Sequence, residues 1–319
     1  MVCGRLRRLL VARVSADRPY RAKSNLQMKK CRALAEAAQP GFCQRSLLGG
    51  GGLQLQDALV PFAKKGIEHV GVCAFHDLLP LLETRAAGRL PTEARSVIVC
   101  ALPYFCGDFP NRNVARYAVC DDYHQTGGAI LAKICAELEV AFPAHTFAAF
   151  IDISPIREVK AAQLAGLGGI GRHGLLILPG YGSYVFVGCI VTDLILPASA
   201  SAPGLCLQCG KCQKACPTGA LDQDGLRREC CRSYITQKRG VLTPWEEGQL
   251  RAGRMAVGCD LCQQACPLNR EAPVTPLAQM RKAPLPHLSL ESLDEALGRK
   301  AYGYLGRKTL ARNLMAIGN

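Results

Sequence analysis

Apolar residues recur along the chain at two spacings, which predict alternating helices and strands. Residues spaced three and four apart predict helices over 53–65, 78–87, 121–140, 155–165, 290–297 and 308–317. Short continuous apolar runs predict strands over 69–75, 96–102 and 146–151. Two further apolar runs, 174–178 and 184–191, flank a Pro- and Gly-containing turn and predict a β-hairpin. Strands that alternate with helices around a hairpin predict an α/β or α+β sandwich of about 150 residues.

Charge and composition divide the chain further. Residues 1–52 contain 11 Lys+Arg and 2 Asp+Glu, so +9 of the net charge of +14 lies in this leader. A leader of this kind is typical of a transit peptide or a nucleic-acid-binding arm. A disordered extension, or a start placed too far upstream, is the interpretation we favour. The Pro-, Ala- and Ser-rich segment 197–203 predicts a linker.

These boundaries predict four regions and no membrane segment. The regions are a basic, disordered leader over 1–52, an α/β domain over 53–196, a cysteine-rich module over 204–270 and a C-terminal helical tail over 271–319. Their apolar runs are all shorter than the roughly 20 residues that span a bilayer, so we expect a cytoplasmic protein without a membrane partner. We also expect a monomer.

The cysteines carry the most specific chemical pattern. A C-x2-C-x2-C-x3-C-P run begins at residue 206, and a shorter C-x2-C-x3-C-P run begins at residue 259. Such runs are typical of bacterial ferredoxins with two 4Fe–4S clusters, in which the fourth cysteine of a run binds the other cluster. The spacing therefore predicts one cluster held by Cys206, Cys209, Cys212 and Cys266. The second would be held by Cys216, Cys259, Cys262 and either Cys230 or Cys231.

Structural zinc and disulfides are the alternative interpretations of these cysteines. Zinc sites usually take two C-x2-C pairs rather than this longer run. Disulfides require an oxidising compartment, and no secretory segment is evident. Several of the remaining cysteines, among them Cys73, Cys100, Cys135 and Cys189, have apolar neighbours and are expected to be buried thiols.

Two other motifs allow a structural and a functional interpretation. Gly166, Gly168 and Gly171 have the G-x-G-x-x-G spacing of dinucleotide-binding loops. They follow a predicted helix instead of a strand, which disfavours nucleotide binding and favours a backbone that closely approaches something flat and large. Asp152 ends an apolar strand, where it or Ser154 would cap the next helix. The functional alternative is a general acid whose pKa is raised by apolar surroundings.

Taken together, these segments resemble the epoxyqueuosine reductase family, cobalamin- and iron–sulfur-dependent enzymes that complete queuosine in tRNA. The resemblance covers residues 53–319 and is carried by the two cysteine runs and by segments 96–104, 122–124, 152–155, 165–171, 182–188, 192–194, 231–236 and 310–319. The related reductive dehalogenases share the cofactor pair and the general architecture.

The resemblance implies an α+β fold, with a nitroreductase-like cobalamin-binding domain followed by a bacterial-type ferredoxin module with two 4Fe–4S clusters. It implies that Cys231 rather than Cys230 completes the second cluster and that Asp152 is the proton donor. The D-x-H-x-x-G pattern at 122–127 matches a cobalt-ligating motif of other cobalamin proteins, but this family binds cobalamin without a lower histidine. The residues expected to contact cobalamin are Asp152, Tyr104, His124, Leu176, Val187 and Ser233, and those expected to contact tRNA are Lys238 and Arg239.

The implied reaction is the reductive removal of the epoxide oxygen of epoxyqueuosine in the tRNA wobble base. A flavodoxin or ferredoxin would supply electrons, which would pass through the two clusters to cobalamin. The chain departs from the family at Gly169, where a bulky aromatic is usual, and at 118–120, where basic residues are usual. The sequence also ends at residue 319, where many members continue into a helical-repeat module. The alternatives are therefore a cobalamin-dependent reductase of a small molecule and an electron carrier that uses only its clusters.

Overall fold

The computed structural model of the protein describes residues 53–201 and 204–318. The predicted basic leader over 1–52 lies outside the described residues, as do residues 202 and 203 of the predicted linker. In the described part of the chain, no helix is both long and apolar enough to cross a membrane.

A four-stranded antiparallel sheet forms the centre of the α/β region, with the strand order β1-β2-β6-β3. Every residue of β2 is buried, as are the last six of β6, because helices cover both faces of these two central strands. The elements of this region are α1 (Leu53–Lys64), β1 (Val70–Ala74), β2 (Ser96–Pro103), α2 (Tyr123–Ala141), β3 (Phe147–Ile151), α3 (Glu158–Leu164), β4 (Gly169–Ile170), β5 (Leu176–Ile177) and β6 (Val185–Thr192).

Each face of the sheet has its own hydrophobic core. On one face, α1 and α2 pack against alternate strand residues, including Ile98 and Leu102 of β2. On the other face, α3 packs against the intervening positions, including Val97 and Val99. This alternation follows from the two-residue period of a strand and confirms the layered α+β architecture expected from the sequence.

Two predicted elements of the α/β region are wrong. Segment 78–87 does not form one helix. Only its two ends are helical, as parts of the 3-10 turns Phe75–Leu78 and Arg85–Arg89. A continuous helix is disfavoured because Pro80 lacks the N–H that it would need. The predicted hairpin does not form either. Its first arm, β5, pairs with β4, whereas its second arm, β6, enters the centre of the main sheet, where both apolar faces of the strand are buried.

The cysteine-rich region consists of short elements joined by loops. Its elements are α4 (Lys211–Lys214), β7 (Leu221–Asp222), β8 (Gly225–Leu226), α5 (Arg232–Gln237), α6 (Pro244–Gly253) and α7 (Leu261–Gln264). Thr243 caps α6 in a capping box with Glu246, and Pro244 occupies the first turn. This is the pattern of residues that starts a helix reliably.

The C-terminal segment packs back onto the loop that precedes α2. Its helices are α8 (Leu293–Arg299) and α9 (Gly306–Ile317). Apolar side chains from both helices share one core with Val114, Ala118 and Val119 of that loop and with Val257, next to the second cysteine run. The same segment holds the start of α2, since the Asp122 N–H donates to the Arg299 carbonyl at 2.8 Å.

Candidate functional site

An acid site forms where β3 ends and α2 begins, and it consists of Asp122, His124 and Asp152. Asp152 directly follows β3 and has a φ of 63°, a left-handed conformation that non-glycine residues rarely adopt. Asp122 is the N-cap of α2, and its side chain accepts from the His124 N–H at 2.9 Å. The strand end and the helix start thus bring together side chains that are distant in sequence.

A glycine on α2 allows these two elements to approach. A β-carbon at Gly127 would lie 2.6 Å from Cδ1 of Ile151, the residue before Asp152, whereas one at the neighbouring Gly128 would meet nothing within 4 Å. The absence of a side chain at Gly127 therefore lets the first turn of α2 pack directly against the end of β3.

His124 bridges the two carboxylates of the acid site. Its Nδ1 lies 2.7 Å from Oδ1 of Asp122, and its Nε2 lies 2.9 Å from Oδ2 of Asp152. Because an ionised carboxylate only accepts hydrogen bonds, both ring nitrogens must donate. Only the doubly protonated imidazolium has two donors, so the geometry assigns His124 a positive charge.

The electrostatics agree with this assignment. Burial alone would lower the pKa of His124, but the hydrogen bonds and charges of Asp122 and Asp152 outweigh burial and raise it to about 9. The His124 hydrogen bond in turn holds the pKa of Asp152 below its ordinary value. Near neutral pH the transferable proton therefore lies on His124, while Asp152 is the ionised group nearest to solvent.

This arrangement corrects one expectation and removes another. We expected apolar surroundings to raise the pKa of Asp152, but its side chain is 58% exposed and its pKa is lowered by the imidazolium. The capping interpretation fails because α3 starts only at Glu158, and its N-cap, Arg157, makes no side-chain cap. Ser154 instead accepts from the Ile156 N–H at 3.2 Å, within the turn that precedes α3.

Glu158 is a second carboxyl beside the acid site, and no sequence motif indicated it. Its Oε2 accepts from the Asp152 N–H at 3.2 Å, while its buried Oε1 has no hydrogen-bond partner among the described residues. Burial, followed by the nearby charge of Asp152, raises the pKa of Glu158 to about 8. Glu158 is thus mostly protonated at neutral pH and fixes the backbone of the Asp152 turn.

A stack of aromatic rings connects the acid site with the second cysteine run. The ring centroids of His124 and Tyr123 are 4.0 Å apart, those of Tyr123 and Phe186 3.9 Å, and those of Phe186 and Tyr104 4.5 Å. At the end of the stack, the Tyr104 hydroxyl accepts from Gln263 Nε2 at 3.1 Å. Gln263 lies between Cys262 and Cys266, so the stack spans the two predicted halves of the site.

The four cysteines of the first group, Cys206, Cys209, Cys212 and Cys266, line one small cavity. Burial raises the pKa of Cys266, and so do the charges of the other three cysteines. The four thiols are therefore close enough to interact. Two residues that follow β4, Arg172 and His173, line the same cavity. In the described chain, no three His, Cys, Asp or Glu side chains are arranged to hold a single metal ion.

Three cysteines of the second group, Cys231, Cys259 and Cys262, also lie near one another. Burial, followed by the charges of Cys259 and Cys231, raises the pKa of Cys262 to about 12. The fourth, Cys216, has its Sγ 3.5 Å from the Thr218 hydroxyl, and its membership of this group stays a prediction.

A cavity of about 590 Å³ opens beside the second group and is lined by Cys259 and by three arginines, Arg112, Arg116 and Arg232. Arg112 forms an ion pair of 2.7 Å with Asp260, whose side chain is 1% exposed. These two residues are far apart in the sequence, so the order of charges along the chain did not indicate that they form a pair.

Asn269 joins the second cysteine run to the α/β region. Its Oδ1 accepts from the Ser183 N–H at 2.6 Å, and its Nδ2 donates to the Ser183 hydroxyl at 2.8 Å. A β-carbon at Gly182 would lie 2.1 Å from Asn269 Oδ1, and Gly182 has a φ of 63°. Glycine is therefore required here both by the backbone conformation and by the close contact.

The glycine-rich segment also serves backbone packing. A β-carbon at Gly168 would lie 2.2 Å from the Ile177 carbonyl oxygen, and one at Gly166 would lie 2.5 Å from the Ala200 carbonyl oxygen. The close approach expected from the sequence is thus made to the chain's own backbone in the β4-β5 ribbon and at the linker.

The remaining predicted contact residues are dispersed. Tyr104, Leu176 and Val187 are buried in the protein, and none of them lines the 590 Å³ cavity. The Ser233 carbonyl and hydroxyl accept from Gln237 Nε2. Lys238 pairs with Glu246 at 2.8 Å, while Arg239 donates to the Tyr304 carbonyl. Their roles toward cobalamin and tRNA stay predictions.

Comparison with known proteins decides the family. Residues 86–153, which contain the whole acid site, match the family model described as epoxyqueuosine reductase QueG, DUF1730. An epoxyqueuosine reductase from Vibrio cholerae is 34% identical over 261 residues, which cover 75% of this chain and 70% of the relative. One from Listeria monocytogenes is 32% identical over 258 residues, covering 75% and 68%.

The chain belongs to the epoxyqueuosine reductase family. Residues 205–269 match the model of a 4Fe-4S double cluster binding domain, which confirms the double-cluster module. The match to the relative from Gloeobacter violaceus, at 37% identity, spans 57% of that relative and 56% of this chain, so the chain covers little more than half of it.

Solved structures of this family share the fold. The structure of epoxyqueuosine reductase from Streptococcus thermophilus superposes with a TM-score of 0.70 at 23% identity, covering 83% of this chain and 80% of that one. A structure of the enzyme with an epoxyqueuosine-modified tRNA stem loop gives the same TM-score, identity and coverage. The predicted fold class is thereby confirmed.

Proposed function

We propose that the protein is an epoxyqueuosine reductase that removes the epoxide oxygen of this base in tRNA. The observation that carries the proposal is the imidazolium of His124, held between two carboxylates at a solvent-facing aspartate in a chain of this family. Expelling an epoxide oxygen as water consumes two electrons and two protons. The imidazolium of the acid site supplies one proton, solvent supplies the second, and the cysteine groups meet the electron requirement.

The proton is delivered through hydrogen bonds already in place. Asp152 Oδ2 accepts from His124 Nε2 at 2.9 Å, so the imidazolium proton passes to Asp152 and from Asp152 to the substrate oxygen. Asp122, hydrogen-bonded to the other ring nitrogen, fixes the orientation of the ring. Asp152 is the catalytic residue of this proposal, and His124 supplies its proton.

The electrons enter through the cysteine groups. Cys206, Cys209, Cys212 and Cys266 hold one 4Fe–4S cluster, and their shared cavity supports this assignment. Cys216, Cys231, Cys259 and Cys262 hold the second. The electron donor is a small redox protein of the flavodoxin or ferredoxin class.

The acid site also fits a large cofactor beside it. The exposed Ile153, next to Asp152, and the partly exposed rings of Tyr123 and Phe186 offer an open apolar surface at which cobalamin can lie. Bound there, cobalamin would supply low-valent cobalt as the immediate reductant. The protein contributes the proton and the orientation of Asp152.

The tRNA substrate is supported by the family and by charge near the site. The related structure with a tRNA stem loop covers 83% of this chain. Burial, followed by the charge of Asp152, raises the pKa of Tyr304, and the nearby charges of Arg239 and Arg228 oppose that rise. Lys238 and Arg239 are our candidates for phosphate contacts, since Arg239 lies beside Tyr304.

Anaerobic reconstitution with iron, sulfide, cobalamin and a reductant, followed by mass analysis of epoxyqueuosine-containing tRNA, tests the proposal. We expect loss of one oxygen from the modified base. Unchanged tRNA despite full loading with clusters and cobalamin would refute it. Turnover of free halogenated small molecules would favour the small-molecule reductase, and failure to bind any corrinoid would favour the electron carrier.

A further inference from the structure

His173 is a buried histidine that none of the steps above uses. It directly follows the glycine-rich segment and is 6% exposed. A β-carbon at Gly171 would lie 2.5 Å from its Cε1, so the glycine makes room for the ring. The segment thus places an imidazole at a fixed position beside the first cysteine group.

The hydrogen bonds of the ring define its tautomer. The Leu175 N–H donates to His173 Nδ1 at 3.2 Å, so Nδ1 carries no proton. In a neutral ring the proton must then lie on Nε2. This nitrogen is buried and has no hydrogen-bond partner among the described residues. A buried donor without an acceptor destabilises the folded chain, so a missing acceptor is expected nearby.

The surroundings of the ring indicate what that acceptor is. His173 lines the small cavity together with all four cysteines of the first group. The preceding residue, Arg172, fixes the segment to the cysteine loop, since it donates to the side-chain oxygens of Gln208 at 2.6 Å and Gln213 at 2.9 Å. The cysteine thiolates and the sulfides of a cluster are the acceptors that this cavity would contain.

We propose that His173 Nε2–H donates a hydrogen bond to a sulfur of the first 4Fe–4S cluster and raises the reduction potential of that cluster. The inference rests on the cluster assignment of the proposed function. A reduced cluster carries one more negative charge than an oxidised one, so a donor aimed at its sulfur stabilises the reduced form more. His173 is accordingly a positioning residue that adjusts where the electron resides.

An EPR-monitored redox titration of the anaerobically reconstituted full chain tests this. In His173→Phe, which keeps a ring but removes the donor, we expect one cluster to become harder to reduce by about tenfold in its reduction equilibrium, or about 59 mV for one electron. The other cluster serves as an internal control and should not shift. His173→Gln retains an N–H near the Nε2 position and should restore most of the potential.

A second measurement is independent of the potential. In protein labelled with ¹⁵N-histidine, pulsed EPR of the reduced wild-type cluster should show a weak ¹⁵N coupling and an exchangeable proton, and both should be lost in His173→Phe. Unchanged potentials and spectra in a His173→Phe protein that retains both clusters would overturn the inference while leaving the clusters intact. A ¹⁵N coupling of the size expected for direct iron ligation would also overturn it. Failure of the wild type to take up any cluster would instead refute the proposed function.

Discussion

The two cysteine groups and the acid site are assembled over different distances along the chain. Three cysteines of the first group lie within 206–212 and turn inward on a single loop, with Gly210 in a left-handed conformation at the start of α4. The acid site instead joins His124 to Asp152 across 28 residues, through a helix N-terminus and a strand end. Local spacing is thus sufficient to identify the three-cysteine loop, although folding must bring its fourth cysteine, Cys266, into the same cavity. The charge on His124 has no such local pattern and follows only from elements packed in three dimensions.

The largest expected effect concerns the second cysteine group. Cys231→Ala should remove one of the two clusters, halving the iron content, and abolish turnover, because a cubane cluster needs four ligands. Cys230→Ala is the matched control and should retain both clusters, since the resemblance assigns the ligand to Cys231. Iron and sulfide determination, together with EPR, measures this. Equal iron loss in both variants would contradict the assignment.

A large effect that spares the clusters is expected in the acid site. Asp152→Asn should lower turnover of modified tRNA by about 10²–10⁴-fold, because a positioned acid–base group typically contributes that much. His124→Gln should have a similar effect, since it removes the proton reserve. Both variants should keep wild-type iron content and cobalamin binding. Full activity of Asp152→Asn would return this residue to a purely structural role.

The pH dependence tests where the proton lies. Because the pKa of His124 is raised to about 9, the ring stays charged up to that pH and loses its proton above it. Single-turnover rates should therefore hold from neutral pH to about pH 9 and fall beyond it. A fall centred near the ordinary histidine value of about 6.5 would show that the imidazolium is not stabilised as the geometry requires.

Glu158 should affect stability in a pH-dependent way. Its pKa is raised to about 8 in the folded chain, so between about pH 4.5 and 8 the folded state binds more protons than the unfolded state. Stability conferred by this group is complete at low pH and is lost as the pH rises to 8. Glu158→Gln should thus gain on the order of 4 kcal/mol relative to the wild type between pH 5 and 9 in urea unfolding. If the difference in unfolding free energy between the variant and the wild type were the same at pH 5 and pH 9, the raised pKa of Glu158 would be contradicted.

The smallest effects concern the contact between α2 and β3. Gly128→Ala should stabilise the protein by about 0.5–1 kcal/mol, because it reduces backbone entropy in a helix and meets nothing within 4 Å. Gly127→Ala should be less stable than Gly128→Ala by about 1–2 kcal/mol, because its methyl group displaces Ile151. It should also lower turnover, which Gly128→Ala should not. Thermal unfolding and kinetics of the pair measure this.

Particular residues show how much of the fold and of the site can be predicted from the sequence. The pattern of apolar positions predicted the core strands and α2 to within a few residues, since periodicity reflects burial directly. It located the β6 segment but gave it the wrong partner strand. A strand that is apolar on both faces can pair with any neighbour, and only packing decides which. Asp152 and His124 were each identified, yet the charge on the ring and the lowered pKa of Asp152 arise from a contact that no local pattern encodes.

The sequence by itself determined the family and the double-cluster module, and it predicts which cysteines hold the clusters, because cluster ligands on short loops must keep fixed spacings. Only the tertiary structure decided which residues share the acid site, that its proton lies on His124, and that Glu158 and His173 belong beside the two reactive centres. The physical reason is that protonation states and unpaired donors depend on burial and on neighbours, and these neighbours are separated along the chain and meet only when it folds.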